Sequence, residues 1–305
     1  MARQRLGSVG VVFLCLATAS PAAAQIEAYT GRNAEGYLAP LVDAFRSNLN
    51  SGMFHDARIE RDGFHVSLEF NVMSTFFSPD SRTFTAVTES GIPPEQYVEA
   101  PTVIGDPSAV FVSGNASTLY AFPGGFDVNN FYLSCPQLRV GSWKGTEAVG
   151  RLIFYDTGNE EIGSLGVWGA GVRHSISQYF VELAPFDMAL EGMWQHARLH
   201  TVTGLDIVDS DLYTLALQSG VALGPLYPYA GVAVDWYRFG VHYELEGIQP
   251  IDLTFNANED IQLTLGVSYR VGFIAAFSEY NIADQNTLAA GLSVDFPFSS
   301  RSVTQ

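Results

Sequence analysis

The sequence predicts an all-β fold: a transmembrane antiparallel β-barrel of about twelve strands, with ten to fourteen consistent with the pattern, and one short N-terminal α-helix in or under it. Three observations predict it. From Thr287 to Phe298 the chain alternates, with Leu288, Ala290, Leu292, Val294, Phe296 and Phe298 on one face and Thr287, Ala289, Gly291, Ser293 and Asp295 on the other, the period-two signature of a strand with one apolar side. The chain opens with a secretory signal. Hydrophobic residues make up 47% and charged residues only 15%, with 21 Phe, 14 Tyr and 4 Trp. A soluble domain is about 25% charged, and no stretch here offers the roughly 20 apolar residues of a membrane helix.

The signal has three parts. Arg3 and Arg5 begin it, Val9 to Ala17 form a short apolar run, and Ala22-Ala23-Ala24 precede Gln25. This pattern predicts cleavage after Ala24. Leu14 is bulky where a lipoprotein signal needs a small residue, so Cys15 is not read as a lipid anchor. Cys135 is then the one cysteine left, which excludes an intramolecular disulfide framework and a cysteine-rich metal site.

Residues 25–52 differ from the rest. Tyr37, Leu38, Leu41, Val42, Phe45 and Leu49 recur at three- and four-residue steps, the spacing of a helix face. Asn33 is placed to cap its start and Gly52 follows its end. Tyr37, Leu41, Phe45 and Leu49 are the candidate plug-helix residues, set inside the barrel or at its rim.

Strand patterns fill 53–298, and 299–305 form a short tail. The first pattern turns Phe64, Val66, Leu68, Phe70 and Val72 one way and His65, Ser67, Glu69 and Asn71 the other. Arg82 to Ser90 reads as its return strand. The stretch from Pro93 to Phe126, with five prolines, carries one strand near 110–122. Nine further strands follow from 128 to 298. With Phe298 at the periplasm, Lys144-Gly145, Gly224-Pro225 and Val271-Gly272 are tight periplasmic turns. Leu199 to Ser210 and Glu244 to Glu259 are then long extracellular loops, the asymmetry such barrels have.

An Arg at mid-membrane on the lipid face costs about 2–4 kcal/mol, so polar residues define the lumen. Candidate lumen-lining residues are Asp187, Glu191, Gln195, Gln262, Thr264, Arg270, Ser293 and Asp295. Met188, Leu190 and Trp194 face lipid. Asp235 and Arg238 are both read as lining, yet they fall on opposite faces, which requires a bulge or an end position. Tyr227, Tyr229, Tyr243 and Phe298 sit at strand ends, where girdle aromatics belong.

The formal net charge is −17, which excludes a nucleic-acid partner, since that needs clustered Lys or Arg. Gly166, Gly169 and Gly171 are followed by strand, not helix, so they are no nucleotide fingerprint. They permit close approach of another segment. Arg173 and His174, on opposite faces, read as a strand end at the water boundary. His196 and His200 would stand about 13 Å apart along a strand, so no metal site is read from that pair. No Ser/His pair finds a third member, so no catalytic residue and no cofactor is assigned.

Lys144-Gly145-Thr146-Glu147, the run Gly166-Val167-Trp168-Gly169-Ala170-Gly171-Val172-Arg173-His174 and Gln178 resemble an uncharacterised family of bacterial outer-membrane β-barrels, a domain of unknown function. Tyr37-Leu38-Ala39-Pro40-Leu41 and Asn48-Leu49-Asn50-Ser51-Gly52 are similar to its N-terminal part. The resemblance implies a barrel and supplies no activity. In overall architecture the chain also resembles long-chain fatty acid transporters.

The expected role is passive transport or binding of a small, apolar solute, drawn from the apolar helix and from the barrel's size. The alternative is a structural or surface-interaction protein. The expected partners are the outer-membrane lipid bilayer, the barrel-assembly machinery and a small-molecule solute. Oligomeric state is left open.

Overall fold

The computed structural model describes residues 31–88, 95–114, 119–156, 162–180, 185–243 and 251–297. The signal, Phe298 and the tail lie outside them. Helix α1 spans Gly31–Leu49 and carries Pro40 inside it. Strands follow as β1 (His65–Phe76), β2 (Thr83–Val87), β3 (Tyr97–Pro101), β4 (Val110–Ser113), β5 (Leu119–Phe122), β6 (Asn130–Trp143), β7 (Thr146–Asp156), β8 (Ile162–Ser175), β9 (Phe186–Thr201), β10 (Asp206–Val221), β11 (Leu226–Tyr243), β12 (Ile251–Val271), β13 (Ile274–Ile282) and β14 (Asn286–Pro297).

Ten strands close an antiparallel barrel in the order β1-β14-β13-β12-β11-β10-β9-β8-β7-β6. Each next strand is the nearest partner that satisfies the backbone, and β1 closes the wall by pairing with both β14 and β6. Closure leaves no edge, the condition for crossing a membrane with strands. Ten lies at the low end of the expected range. The reason is that Arg82 to Ser90 is not the return strand of β1. Within it, β2 pairs with β3, and β4 pairs with β5, as two small separate sheets. At four or five residues each they are shorter than the roughly 9–11 that a crossing strand needs.

The barrel has two unlike ends. At one, Lys144-Gly145, Pro225 and Gly272-Phe273 make tight turns. Lys144 and Gly145 both have positive φ, at 51° and 73°, the geometry of a two-residue hairpin that only glycine enters freely. At the other end β1 joins β6 through the segment that holds β2 to β5. Of the loops expected at 199–210 and 244–259, residues 199–201, 206–210 and 251–259 are strand instead, and 244–250 lie outside the described residues. β9 runs to Thr201, β10 begins at Asp206, and β12 begins at Ile251. Both hairpins continue their ladders past the length a bilayer requires, so polar residues there are extended wall and not loop.

The outward face is apolar. Leu68, Phe70 and Val72 are 44–54% exposed, and Ile261, Leu263, Leu265, Val267, Tyr269 and Val271 are 43–67% exposed. So large a contiguous apolar surface is a lipid-facing band. Among the described residues no helix is long and apolar enough to cross a membrane. Tyr227 and Tyr229 do not belong to a girdle: both are buried and point inward. Their odd-numbered positions share a face with Ala233 and Asp235, and lumen carboxylates take their hydroxyls. The exposed Trp143, Phe186 and Phe273 rim the turn end instead. The side chain of Tyr243 lies outside the described residues.

The parity conflict between Asp235 and Arg238 resolves through β12. Asp235 is opposite Asp260 but Trp236 is opposite Asn258, so one extra residue bulges from β12. β11 itself keeps one parity, with Ala233, Asp235, Phe239 and Val241 buried. Arg238 is exposed on the outer side beyond the cleanest apolar stretch, and it is not part of the lining.

Candidate functional site

The lumen is filled by the chain's own N-terminal segment. α1 enters at the loop end, where Asn33 Nδ2 donates to the Val87 carbonyl at 2.8 Å and Asn33 Oδ1 accepts from the Val87 N–H at 2.9 Å. Asn33 thus lies within the helix and clasps β2; it does not cap the helix start. The segment leaves at the turn end, where Gly63 N donates to Ser142 O at 3.3 Å and Gly145 N donates to Arg61 O at 2.6 Å.

The two halves of this plug are chemically different. In the helical half Tyr37, Phe45 and Leu49 are buried and Leu41 is half-buried. Phe45 packs against Phe131 and Phe239, with ring centroids 6.2 and 5.9 Å apart. The Tyr37 hydroxyl donates to Gly124 O at 3.1 Å. The apolar face of the helix is therefore spent on the inner wall and on the cap segment, each such side chain gaining about 1.5–3 kcal/mol by burial.

The lower half, from Asn50 to Gly63, has no regular secondary structure. From Asn50 to Ala57 it is buried all the same, and its backbone groups need partners. The wall supplies them from side chains. Arg151 donates to Leu49 O at 2.8 Å and Ser51 O at 2.9 Å, and Gln195 to Leu49 O at 2.9 Å. Gln262 donates to Asn50 O at 3.1 Å and Asn71 to Gly52 O at 2.7 Å. Gln137 and Gln218 donate to Met53 O and Phe54 O, each at 2.8 Å, and Arg173 donates to Asp56 O. In return Gly52 N donates to Glu279 Oε1 at 2.6 Å and Ala57 N to the Tyr227 hydroxyl at 3.2 Å.

Charges interleave with these contacts. Arg46 of α1 meets Asp235 at 3.5 Å, Asp284 at 3.2 Å and also Asp260. Arg139 pairs with Glu69 and lies 3.8 Å from Glu147. Arg173 pairs with Glu191 at 2.9 Å and Glu147 at 3.1 Å. Below this network a cavity of about 800 Å³ opens at the turn end. Asp56, Arg58, Glu60, His65, Ser67, Arg139, Glu147, Arg270 and Asp295 supply its polar lining. The space left in the barrel is charged.

The residues named from sequence as lining take these places. Glu191, Gln195, Gln262 and Ser293 are buried against the plug or its neighbours, while Asp187, Thr264, Arg270 and Asp295 are partly buried. Asp187 accepts from the Tyr227 hydroxyl at 3.2 Å, and Thr264 donates to Asn281 at 2.5 Å. Asp295 accepts from Ser67 at 2.5 Å and Ser293 at 3.3 Å and pairs with Arg270. The structure brings the four side chains Arg270, Ser293, Asp295 and Ser67 together at the turn end. Gln195 and Gln262 act as plug holders. Arg46, Glu69, Arg139, Arg151 and Glu279 carry as much of the arrangement and were not singled out. Their signal was available, since each strand member sits at an inward parity position.

Arg173 is fully buried and not at the water boundary. His174, on the other face, accepts or donates across 2.8 Å to Thr146 Oγ1 and 2.9 Å to the Tyr179 hydroxyl. Gln178 folds back so that its Nε2 donates to Lys144 O at 3.2 Å and lies 3.2 Å from His174 Nε2. The Lys144–Glu147 turn and the Arg173–Gln178 block, far apart in sequence, therefore form one corner. Gly171 makes room there for the plug-facing Met193: a Cβ on it would stand 2.5 Å from the Met193 sulfur.

A family model described as "Family of unknown function (DUF6588)" matches residues 5–296. No curated protein matches the chain in sequence. Solved structures are similar only at low level. The outer-membrane protease OmpT from Escherichia coli is 8% identical, covering 78% of this chain and 98% of that one, with a TM-score of 0.35. The toluene transporter TbuX of Ralstonia pickettii is 10% identical over 81% and 93%, with a TM-score of 0.28. The translocator domain of the autotransporter NalP from Neisseria meningitidis is 12% identical over 87% and 100%, with a TM-score of 0.36. Values of this size say nothing about activity.

Proposed function

The chain belongs to this family of unknown function, and from that premise we propose that it is a bacterial outer-membrane barrel held shut by its own N-terminal segment. It binds a small polar solute in the turn-end chamber, and passage requires the segment to yield. The observation that carries this reading is the set of wall side chains, Arg151, Gln195, Gln262, Asn71, Gln137, Gln218 and Arg173, that bond the carbonyls of residues 49–56. An open diffusion pore has no use for a clamp on an extended segment. A polar solute fits a chamber lined by Arg58, Arg270, Glu60 and Asp295 better than the apolar solute the helix first suggested. By the rule that such barrels keep short turns inside, the turn end faces the periplasm, with the cap segment outside. Export by the N-terminal signal and insertion by the barrel-assembly machinery belong to the same reading.

Planar-bilayer conductance tests it. The intact protein is expected to be silent, and Arg151→Ala combined with Gln195→Ala is expected to give discrete openings. Steady conductance of the intact protein overturns the occluded reading. Silence of both, together with no solute protection of the chamber, leaves a structural barrel.

A further inference from the structure

We propose that His196, Asp209 and Asp211 hold a divalent transition-metal ion on the outer wall, near the loop end. These residues lie on the opposite side of the wall from the plug. In β10 the inward positions are Ser210, Leu212 and Thr214, all buried, so Asp209 and Asp211 point outward. His196 of β9 stands opposite Asp211, and Arg198 opposite Asp209.

Each of the three residues brings one donor atom to within 4.8 Å of the other two. His196 is 7% exposed, covered by Trp168 and Trp194 with ring centroids 5.6 and 6.4 Å away. Its Nδ1 lies 3.0 Å from Asp211 Oδ1. Its Nε2 is screened from solvent with no hydrogen-bond partner, and it faces Asp209 Oδ2 across 3.8 Å. That gap is too long for a hydrogen bond. Two ligands about 2.1 Å from one ion stand roughly 3.4 Å apart in a tetrahedral site, so the Nε2–Asp209 gap closes by a few tenths of an ångström, and the widest gap between donor atoms, at most 4.8 Å, closes by up to about 1.4 Å through side-chain rotation of the exposed carboxylates.

The surrounding contacts suit a metal site. Trp194 Nε1 donates to Asp211 Oδ1 at 3.1 Å and Arg198 Nε to Asp209 Oδ2 at 3.1 Å. Such contacts fix the carboxylates, with Arg198 holding the same Asp209 oxygen that faces His196 Nε2. One imidazole with two carboxylates selects Zn²⁺, Co²⁺ or a similar ion over Ca²⁺ and Mg²⁺, which ask for six or more oxygens or an octahedral water shell. Asp209 and Asp211 are half and one-third exposed, so water can complete the shell. The strand places His200 elsewhere, against Asp206 at 2.5 Å, which is why a His-to-His spacing does not reveal the site.

The test uses the full chain refolded in detergent, with folding checked by heat-modifiable migration, and titrates it with Co²⁺ and then Zn²⁺. The expected result is one equivalent bound with a dissociation constant below about 100 µM, a visible Co²⁺ spectrum that Zn²⁺ bleaches, and quenching of tryptophan emission by Co²⁺. His196→Ala and Asp209→Asn each weaken binding by roughly tenfold or more, while His242→Ala leaves it unchanged. Absence of one-equivalent binding in the unaltered protein overturns the proposal, whatever the variants do. Binding that survives both His196→Ala and Asp209→Asn overturns it as well.

Discussion

Arg173 sits in an unusual position for an arginine: its guanidinium is wholly enclosed, and three donors reach three acceptors, Glu191, Glu147 and the Asp56 carbonyl. Removing it takes the arginine from the buried Glu191 carboxylate and leaves Glu147 to His65 at 3.1 Å and Arg139 at 3.8 Å, and breaking a buried pair in that way costs about 3–5 kcal/mol. Arg173→Met is therefore expected to lower the urea midpoint of the protein in lipid vesicles by an amount matching that loss. Arg61→Ala, which removes an exposed side chain 4.0 Å from an exposed Asp62, is expected to change stability by less than about 0.5 kcal/mol. Equal effects from the two would contradict the burial argument. Parity alone reveals that Arg173 and His174 point to opposite faces. Depth is not in the pattern, because it is set by Asp56 from the plug and by Glu191 and Glu147 from the strands flanking β8. The same holds for Tyr227 and Tyr229, whose places near a strand end suggest a girdle until the carboxylates facing them are known.

At the level of elements, alternation identifies β1 and β6 to β14 well, since each carries one apolar face against lipid. It fails between residues 77 and 129, where β2 to β5 are short, lie outside the barrel and answer to the helix. The helix itself is legible from its three- and four-residue spacing, but its start is not, because Asn33 looks like a cap and is in fact a clasp. Asn33 exchanges two hydrogen bonds with the Val87 backbone, so it is the main polar tie between α1 and the β2–β3 hairpin. Asn33→Ala removes both and leaves a part-buried N–H and carbonyl to find water, at about 1 kcal/mol each. The expected outcome is faster proteolytic nicking within 83–101 while the barrel keeps its heat-modifiable migration. Unchanged nicking would mean that the hairpin is held by its packing on α1 and not by Asn33.

For the molecule as a whole, wall and plug are complementary: a wall rich in inward Gln, Asn, Arg and Glu makes sense only around a segment whose own backbone lacks partners. That complementarity predicts one cooperative unit. The Gly52 N–H is bonded to Glu279, and the Ala57 N–H to the Tyr227 hydroxyl. Neither bond belongs to secondary structure, and in an ordinary loop such amides exchange with solvent freely. Here they are enclosed, so exchange requires the plug to leave or the wall to open. The amides of Gly52 and Ala57 are therefore expected to exchange as slowly as those of β1 and β6 when the protein is followed by hydrogen exchange in lipid. Arg151→Ala with Gln195→Ala, which removes three of the bonds that hold Leu49 and Ser51, is expected to speed Gly52 and Ala57 selectively and leave the strands protected. Exchange within seconds in the unaltered protein would replace a clamped plug with a mobile one in an intact wall, and the silence expected in conductance would then need another cause.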